Sequence, residues 1–323
     1  MRVVITGGAG FLGSHLCDAL VGRGDAVVCL DQLSTGRLAN VSHLLDHPAF
    51  DFVGADVAAG ITVTGPVDAV AHLASPASPP DYLLWPLETL AAGSQGTQNA
   101  LRLAHQHQVR FVLASTSEVY GDPAIHPQPE DYWGNVNPIG PRSVYDEAKR
   151  FAETLSAAYR RTLGTDAGII RIFNTYGPRM RADDGRVVTN FIMQALSGNP
   201  LTIYGDGSQT RSLCYVDDLI RGIVAMIDSP EPGPVNLGNP EELTVAEIAA
   251  LVIRITGSSS GTEHCPLPAD DPARRCPVIA RARETLGWRP VILAEEGLYR
   301  TVEWFRSRPG EVAAAARAQL VRG

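Results

Sequence analysis

The sequence predicts an α/β protein: a Rossmann-type doubly wound parallel sheet with a smaller C-terminal α/β substrate-binding domain. Three observations carry that expectation. A β-branched run at residues 2–6 opens directly into Gly7-Gly8-Ala9-Gly10-Phe11-Leu12-Gly13, and a helical pattern follows that ends at Gly24. Short apolar runs ending in small or polar residues then alternate with helical periods, as βα units do. Beyond Pro178 the alternation gives way to shorter elements joined by arginine-rich loops.

At 323 residues the chain suits one large domain or two small ones, with ample length for a core. Hydrophobic content of 45% and charged content of 19% are ordinary for a globular chain. A net charge of −8 argues against a nucleic-acid or anionic-membrane surface. No apolar run approaches the ~18 residues of a membrane span, and with a strand pattern at the start no signal peptide is expected. The cysteines number five, an odd count, and none forms a CxxC pair. They read as reduced thiols in the cytoplasm, with no metal site expected. The expected division is 1–178 for a dinucleotide-binding domain, with 212–238 returning to it, and 179–211 plus 239–323 for the second domain.

Residues 26–30 are a second strand, with Asp31 at its end. Glycines at this spacing allow a tight turn and close approach of backbone to a pyrophosphate, which then faces a helix N-terminus. Asp31 lies 18 residues after Gly13, near the ~20 expected of an acid that binds the adenosine ribose. Such an acid accepts two hydroxyl protons and repels a 2′-phosphate, so NAD is expected rather than NADP. Strands at 50–53, 67–73 and 110–114 follow. Their ends place Asp56-Val57, Ala74-Ser75 and Ser115-Thr116 toward a ligand crevice. His72 reads as a core or strand-end residue, and 87–107 as helix. A strand at 167–173 precedes NTYGPR. Further on, 185–196 reads as loop then helix, 201–204 and 235–237 as strands, and 215–226, 245–256, 281–286 and 295–306 as helices. Arg179, Arg181, Arg186, Arg211, Arg274 and Arg275 fall in polar loops. Each alone reads as solvated surface charge, while together they point to a second, phosphate-bearing ligand.

A helix from Ser143 to Gly164 carries the sharpest signal. Ser143 with Asp146 makes a capping-box pattern, and Tyr145 and Lys149 stand one turn apart on one face. A phenol is a poor base, with an ordinary pKa near ~10. An ammonium one turn away favours phenolate. Such pairs are common on surface helices, yet Lys149 is the only lysine in the chain, the other 26 basic residues being arginine. A compact cation with a shiftable pKa is what arginine does not supply.

These residues resemble the extended branch of the short-chain dehydrogenase/reductase superfamily, the nucleotide-sugar-modifying enzymes, over nearly the whole chain. Within it, TSEVYG at 116–121, HLASPASPP at 72–80 and PEDYWGNVNPIGPRSVYDEAKR at 129–150 look like the UDP-glucuronate decarboxylase (UDP-xylose synthase) family. So do IFNTYGPRM, DDGRVVTNFI, YGDGSQTR, VNLGNPEE and DDPARR in the second half. Ser117-Glu118 matches the decarboxylase pattern, where dehydratase relatives typically read Thr-Asp-Glu. Gln32 stands where that family usually has Asn, and Ala92-Gly93 where it has Thr-Asn.

The resemblance implies NAD-dependent decarboxylation of UDP-glucuronate to UDP-xylose through a 4-keto intermediate, with the cofactor recycled in the site. It implies catalytic roles for Tyr145, Lys149, Thr116, Ser117, Glu118 and Arg275. Tyr145 would deprotonate the C4 hydroxyl, Thr116 share its hydrogen bond, and Lys149 lower its pKa and grip the nicotinamide ribose. Glu118 and Arg275 would handle the carboxylate and the protonation step. Cofactor contacts are implied at Gly7, Gly10, Phe11, Leu12, Gly13, Asp31, Gln32, Leu33, Thr35, Gly36, Asp56, Val57, Leu73, Ala74, Ser75, Ala114, Thr175 and Arg186, besides Tyr145 and Lys149. Contacts to the UDP-sugar are implied at Pro79, Tyr82, Asn174, Val188, Asn190, Gln194, Tyr204 and Arg211, besides Glu118 and Arg275. A homodimer through helices near 87–107 and 145–163 is implied as well. Alternatives on the same fold are a UDP-glucuronate 4-epimerase, a dTDP-glucose 4,6-dehydratase and a non-catalytic NAD(H) sensor. The last has no use for the Tyr/Lys pair. UDP against TDP stays open.

Overall fold

A computed structural model gives the fold and describes residues 1–267 and 274–322, so part of the DDPARR run lies outside the described residues. The chain begins β1 (Arg2–Thr6), α1 (Phe11–Arg23), β2 (Ala26–Asp31), β3 (Phe50–Gly54), β4 (Ala69–His72), α2 (Pro79–Leu84) and α3 (Pro86–Ala91). It continues α4 (Thr97–His107), β5 (Arg110–Thr116), α5 (Ser143–Leu163), β6 (Ala167–Ile172), β7 (Thr175–Tyr176), α6 (Val187–Leu196), β8 (Leu201–Tyr204) and β9 (Thr210–Ser212). The remainder is β10 (Cys214–Tyr215), α7 (Val216–Ile227), β11 (Val235–Leu237), β12 (Glu242–Thr244), α8 (Val245–Thr256), β13 (Thr262–Cys265), α9 (Ala280–Leu286), α10 (Ala294–Arg306) and α11 (Pro309–Arg322).

Seven strands pair in the order β11-β6-β5-β4-β1-β2-β3, every pair parallel. Central strands of such a sheet are covered on both faces, and β5 is buried at every residue. Alternation still decides which layer each side chain joins. Val3 and Ile5 of β1 enter the large core with Leu16, Phe191 and Val252, whereas Val4 enters a second cluster with Leu30, Leu101 and Leu113. The strand order reverses between β1 and β4, so their carboxyl ends open a crevice at that point. Gly7 sits in it with φ +71°, where an added Cβ would stand 2.8 Å from the Ala74 backbone. The stretch after α7 does reach the main sheet, through the pairing of β11 with β6. The pairs β7–β10, β9–β12 and β8–β13 lie outside that sheet. Among the described residues no helix is long and apolar enough to cross a membrane.

Residues 87–107 are helical as expected, with a π-helical turn at Ala92–Gly96 between α3 and α4. There α5 crosses at backbone distance: a Cβ on Gly93 would lie 2.7 Å from the Ala148 Cβ. One local expectation is corrected: the Ser143–Asp146 capping box does not form. Arg142 is the N-cap and makes no side-chain cap, Ser143 Oγ donates to the Gly140 carbonyl at 2.6 Å, and Asp146 is turned inward and buried. A capping box is found instead at α8, between Thr244 and Glu247.

The tightest glycine of the first turn gives a direct test of this packing. A Cβ on Gly13 would stand 2.1 Å from the Gly7 carbonyl oxygen and 2.7 Å from the Gly8 Cα. Gly13→Ala should therefore cost about 1–3 kcal/mol or more in urea unfolding. Gly22→Ala, in the same helix with open space around it, should be neutral or stabilising by up to about 1 kcal/mol.

Candidate active site

A cleft of about 760 Å³ follows the carboxyl ends of the central strands and runs on beneath α6. At one end Gly7, Gly10, Phe11, Leu12 and Gly13 form its floor. Gly10 caps α1 without a side-chain hydrogen bond, so first-turn N–H groups of that helix remain available to an anion. Asp31 closes this end. Its carboxylate accepts the Ala9 N–H at 3.0 Å and the Leu33 N–H at 2.7 Å, yet burial outweighs both bonds and raises its pKa. Gly36 packs where a Cβ would lie 2.8 Å from both Asp31 oxygens. A floor of glycine, an uncapped helix start and an acid at the end of β2 together fit a dinucleotide with a free ribose diol.

At the other end α5 presents Tyr145 and Lys149, which are 7% and 4% exposed. Lys149 Nζ donates to the Ala114 carbonyl at 2.9 Å and lies 5.8 Å from the centre of the Tyr145 ring. Burial pulls its ammonium down to about 8, against the opposing charge of Glu153 one turn on. Tyr145 is hydrogen-bonded by Thr116 and stacks on Tyr82, ring centres 5.4 Å apart and planes within 7°. The net shift of this phenol is upward. Burial, followed by repulsion from Glu118, pushes the Tyr145 hydroxyl well up, and the Thr116 bond offsets only part of it. At neutral pH it is a phenol.

Thr116 also caps the short 3₁₀ turn Ser117–Tyr120, accepting the Glu118 N–H at 3.2 Å. That turn aims Glu118 into a pair of guanidiniums. Arg142 Nη2 donates to Oε2 at 2.7 Å, and Arg275 Nη1 donates to Oε1. Burial alone would raise the Glu118 pKa, but the charges of Arg275 and Arg142 together bring it down to about 2. Asp146 behaves oppositely: burial and the Glu118 charge raise it to about 7, and its Oδ1 has no hydrogen-bond partner among the described residues.

A buried polar scaffold holds these parts. Glu153 accepts the Ser115 hydroxyl at 2.6 Å and two Arg171 N–H groups at 2.9 and 2.8 Å. Arg171 also donates to the Tyr120 hydroxyl at 2.9 Å, which donates to Asn236 Oδ1 at 2.8 Å. Asn236 Nδ2 then donates to the carbonyls of Gln128 and Val278, at 2.9 and 3.1 Å.

Every residue to which the resemblance gives a catalytic, cofactor or substrate role lines the cleft except Leu33, Gly36 and Gln194. Leu33 and Gly36 surround Asp31 instead. Gln194 spends its amide on Thr202, donating to Oγ1 at 2.9 Å and accepting its N–H at 3.1 Å. Of the loop arginines, Arg179 pairs with Asp18, Arg181 with Asp81 and Arg186 with Asp184, while Arg274 is exposed. His72 is a core residue: it is bonded to Thr6 and Thr97, and burial holds its pKa down at about 3. Arg142 lines the cleft but was not singled out, although it stands three residues, less than one turn, before Tyr145. No group of three or more metal-ligating side chains occurs among the described residues.

Both ends of this cleft define an oxidoreductase-type nucleotide site, and the chain belongs to the NAD dependent epimerase/dehydratase family, which it matches over residues 3–238. NAD is therefore its cofactor. Within that family it is 52% identical to UDP-glucuronic acid decarboxylase 1 of Arabidopsis thaliana over 95% of this chain and 70% of the relative. It is also 52% identical to UDP-glucuronic acid decarboxylase 1 of Danio rerio, over 94% of this chain and 72% of that one. Among solved structures it resembles dTDP-glucose 4,6-dehydratase of Streptomyces venezuelae with NAD bound, at TM-score 0.87 and 30% identity, covering 96% of this chain and 98% of that one. It likewise resembles a UDP-glucuronic acid 4-epimerase from Bacillus cereus in complex with NAD, at TM-score 0.84 and 28% identity, covering 95% and 99%.

The depressed ammonium of Lys149 has a measurable consequence. Its folded pKa is near 8 against an ordinary 10.5, so in that interval the unfolded chain binds more protons than the folded one. Stability should rise with pH across this window. Lys149→Met should remove a contribution on the order of 3 kcal/mol to that rise in denaturant titrations.

Proposed function

We propose that this chain decarboxylates UDP-glucuronate to UDP-xylose through a 4-keto sugar. The observation that carries the reading is Glu118, held ionised between two arginines beside the Tyr145/Lys149 pair. The chemistry needs both halves. A ketone at C4 is β to the C6 carboxylate, so the C5–C6 bond can break with its electrons entering an enolate while CO₂ leaves. A proton then goes to C5, and reduction of the ketone restores the hydroxyl. The sum is one carboxylate replaced by one hydrogen, with no net oxidation.

NAD⁺, when bound, would supply the acceptor for the C4 hydride and the source of its return. Gly7, Gly10, Gly13 and Asp31 would hold it, and Lys149 its nicotinamide ribose. Tyr145 removes and later returns the proton of the C4 hydroxyl, with Thr116 sharing the hydrogen bond. Its phenol is raised by burial, so cationic charge in the cleft is what makes it a base. Glu118 and Arg275 serve the C6 carboxylate and the proton delivered to C5, with Ser117 beside them in the wall. Tyr82, Asn174, Asn190, Tyr204 and Arg211 line the nucleotide-sugar end. The 4-epimerase shares the first oxidation but keeps its carboxylate. Identity of 52% to decarboxylases against 28% to the 4-epimerase favours CO₂ loss.

The same reading extends to the organisation of the protein. We assign 1–178 with 212–238 to cofactor binding, and 179–211 with 239–323 to the nucleotide sugar. Leu87 on α3 and Phe151 on α5 are 74% and 50% exposed on the helices through which two copies would pair, supporting a homodimer. Five free thiols, four of them buried, suit the reducing cytoplasm.

Incubated with UDP-glucuronate and NAD⁺, the protein should yield a product lighter by one CO₂ with the proton NMR spectrum of UDP-xylose. Tyr145→Phe should lower that rate at least about 100-fold; turnover at a normal rate would remove Tyr145 from the mechanism. Leu87→Glu should shift sedimentation from dimer to monomer while leaving the α/β circular dichroism intact.

A further inference from the structure

Two guanidiniums contact Glu118, and they are not equivalent. Arg275 is 4% exposed and braced from behind. Its Nη2 donates to the Gly121 carbonyl at 3.3 Å, and its neighbour Cys276 is paired both ways with Gln128, each bond 2.8 Å. Arg142 comes from the start of α5. Its carbonyl accepts the N–H of Tyr145 at 3.1 Å and of Asp146 at 3.2 Å, so its backbone is part of the turn that carries the phenol. Its side chain reaches from that turn along the cleft wall to Oε2 of Glu118. A carboxylate gripped on one edge can still rotate about its last torsion, whereas donors on both edges fix its plane as well as its place.

We propose that Arg142 is a positioning residue for the decarboxylation half of the reaction: it fastens Glu118 to the Tyr145 turn. The group serving C5 and C6 and the group serving C4 then keep one fixed separation. The proposal rests on the decarboxylase reading above.

Charge acts in the same direction. Facing Glu118 are Arg275, Arg142 and Asp146, with the phenols of Tyr82 on α2 and Tyr145 on α5. Of these, the two guanidiniums are the cations, and burial opposes ionisation of the carboxylate. With Arg142 removed, one guanidinium is left to hold a buried carboxylate ionised beside Asp146. Its proton affinity then rises, and the acid limb of decarboxylation moves to higher pH.

The two halves can be read separately in one sample. Mixing with UDP-glucuronate and NAD⁺ reports hydride transfer as NADH absorbance, and substrate labelled at C6 reports CO₂ release. Arg142→Met should keep first-turnover hydride transfer within about 3-fold while CO₂ release falls at least about 10-fold. The acid limb should move up in pH, and the 4-keto sugar should accumulate. Arg142→Lys, which keeps the charge, should return the acid limb toward its original position. The proposal is overturned if CO₂ release by Arg142→Met is unchanged, if both halves fall in the same proportion at every pH, or if Lys is no better than Met. Should the Met variant not fold, Arg142→Lys decides, since it must slow CO₂ release more than hydride transfer. A wild-type protein that transfers hydride but releases no CO₂ would sink the decarboxylase reading itself, a separate result.

Discussion

A carboxylate buried between two guanidiniums is the constraint around which this cleft is assembled. Glu118 stands at a strand end, Arg142 comes 24 residues later and Arg275 157 residues later, so no local segment can satisfy the charge. An ionised carboxylate left alone in such a place costs several kcal/mol, and so does a guanidinium. The scaffold behind them is built to match. Arg171 ties α5 to Tyr120 in the Glu118 turn, and Asn236 on β11 ties Tyr120 to the backbone beside Arg275. The return of the chain to the sheet edge at β11 is thus what brings the third member of the cluster into place.

Three consecutive turns of α5 divide the remaining work. Arg142 and Tyr145 occupy the first, Lys149 the next and Glu153 the one after, all facing the sheet. Burial acts on Tyr145 and Lys149 with the sign expected of each charge, the phenol rising and the ammonium falling, while Glu153 is paired with Arg171. A lysine here is poised near the pH at which it titrates, which no arginine can match. That is a physical reason for a chain otherwise devoid of lysine to hold one at this position.

Much of this was legible in the sequence because it depends on local spacing. The glycine turn, Asp31 at the end of a strand and the Tyr145–Lys149 pair are set by chain geometry over fewer than about ten residues each, or by one βαβ unit. Glu118 was legible through its place two residues after Thr116. What could not be read was long-range pairing. Arg179 and Arg181 each read as solvated charge in a polar loop, but they meet Asp18 and Asp81, 161 and 100 residues away. The Ser143–Asp146 cap failed for a related reason, since Asp146 is drawn into the buried charge cluster and away from its own helix start. Gly93 stands where the resembled family has Asn, and only the fold shows α5 crossing it at contact distance.

The central claim is that oxidation at C4 and loss of C6 occur in one site without net consumption of cofactor. The most direct measurement supplies UDP-glucuronate labelled at C6 and follows labelled CO₂, nucleotide sugar and NADH together through many turnovers. The account predicts one CO₂ per sugar consumed, UDP-xylose as the product, and NAD recovered in its oxidised form. Recovery of the label in UDP-galacturonate, with no CO₂ released, would contradict it.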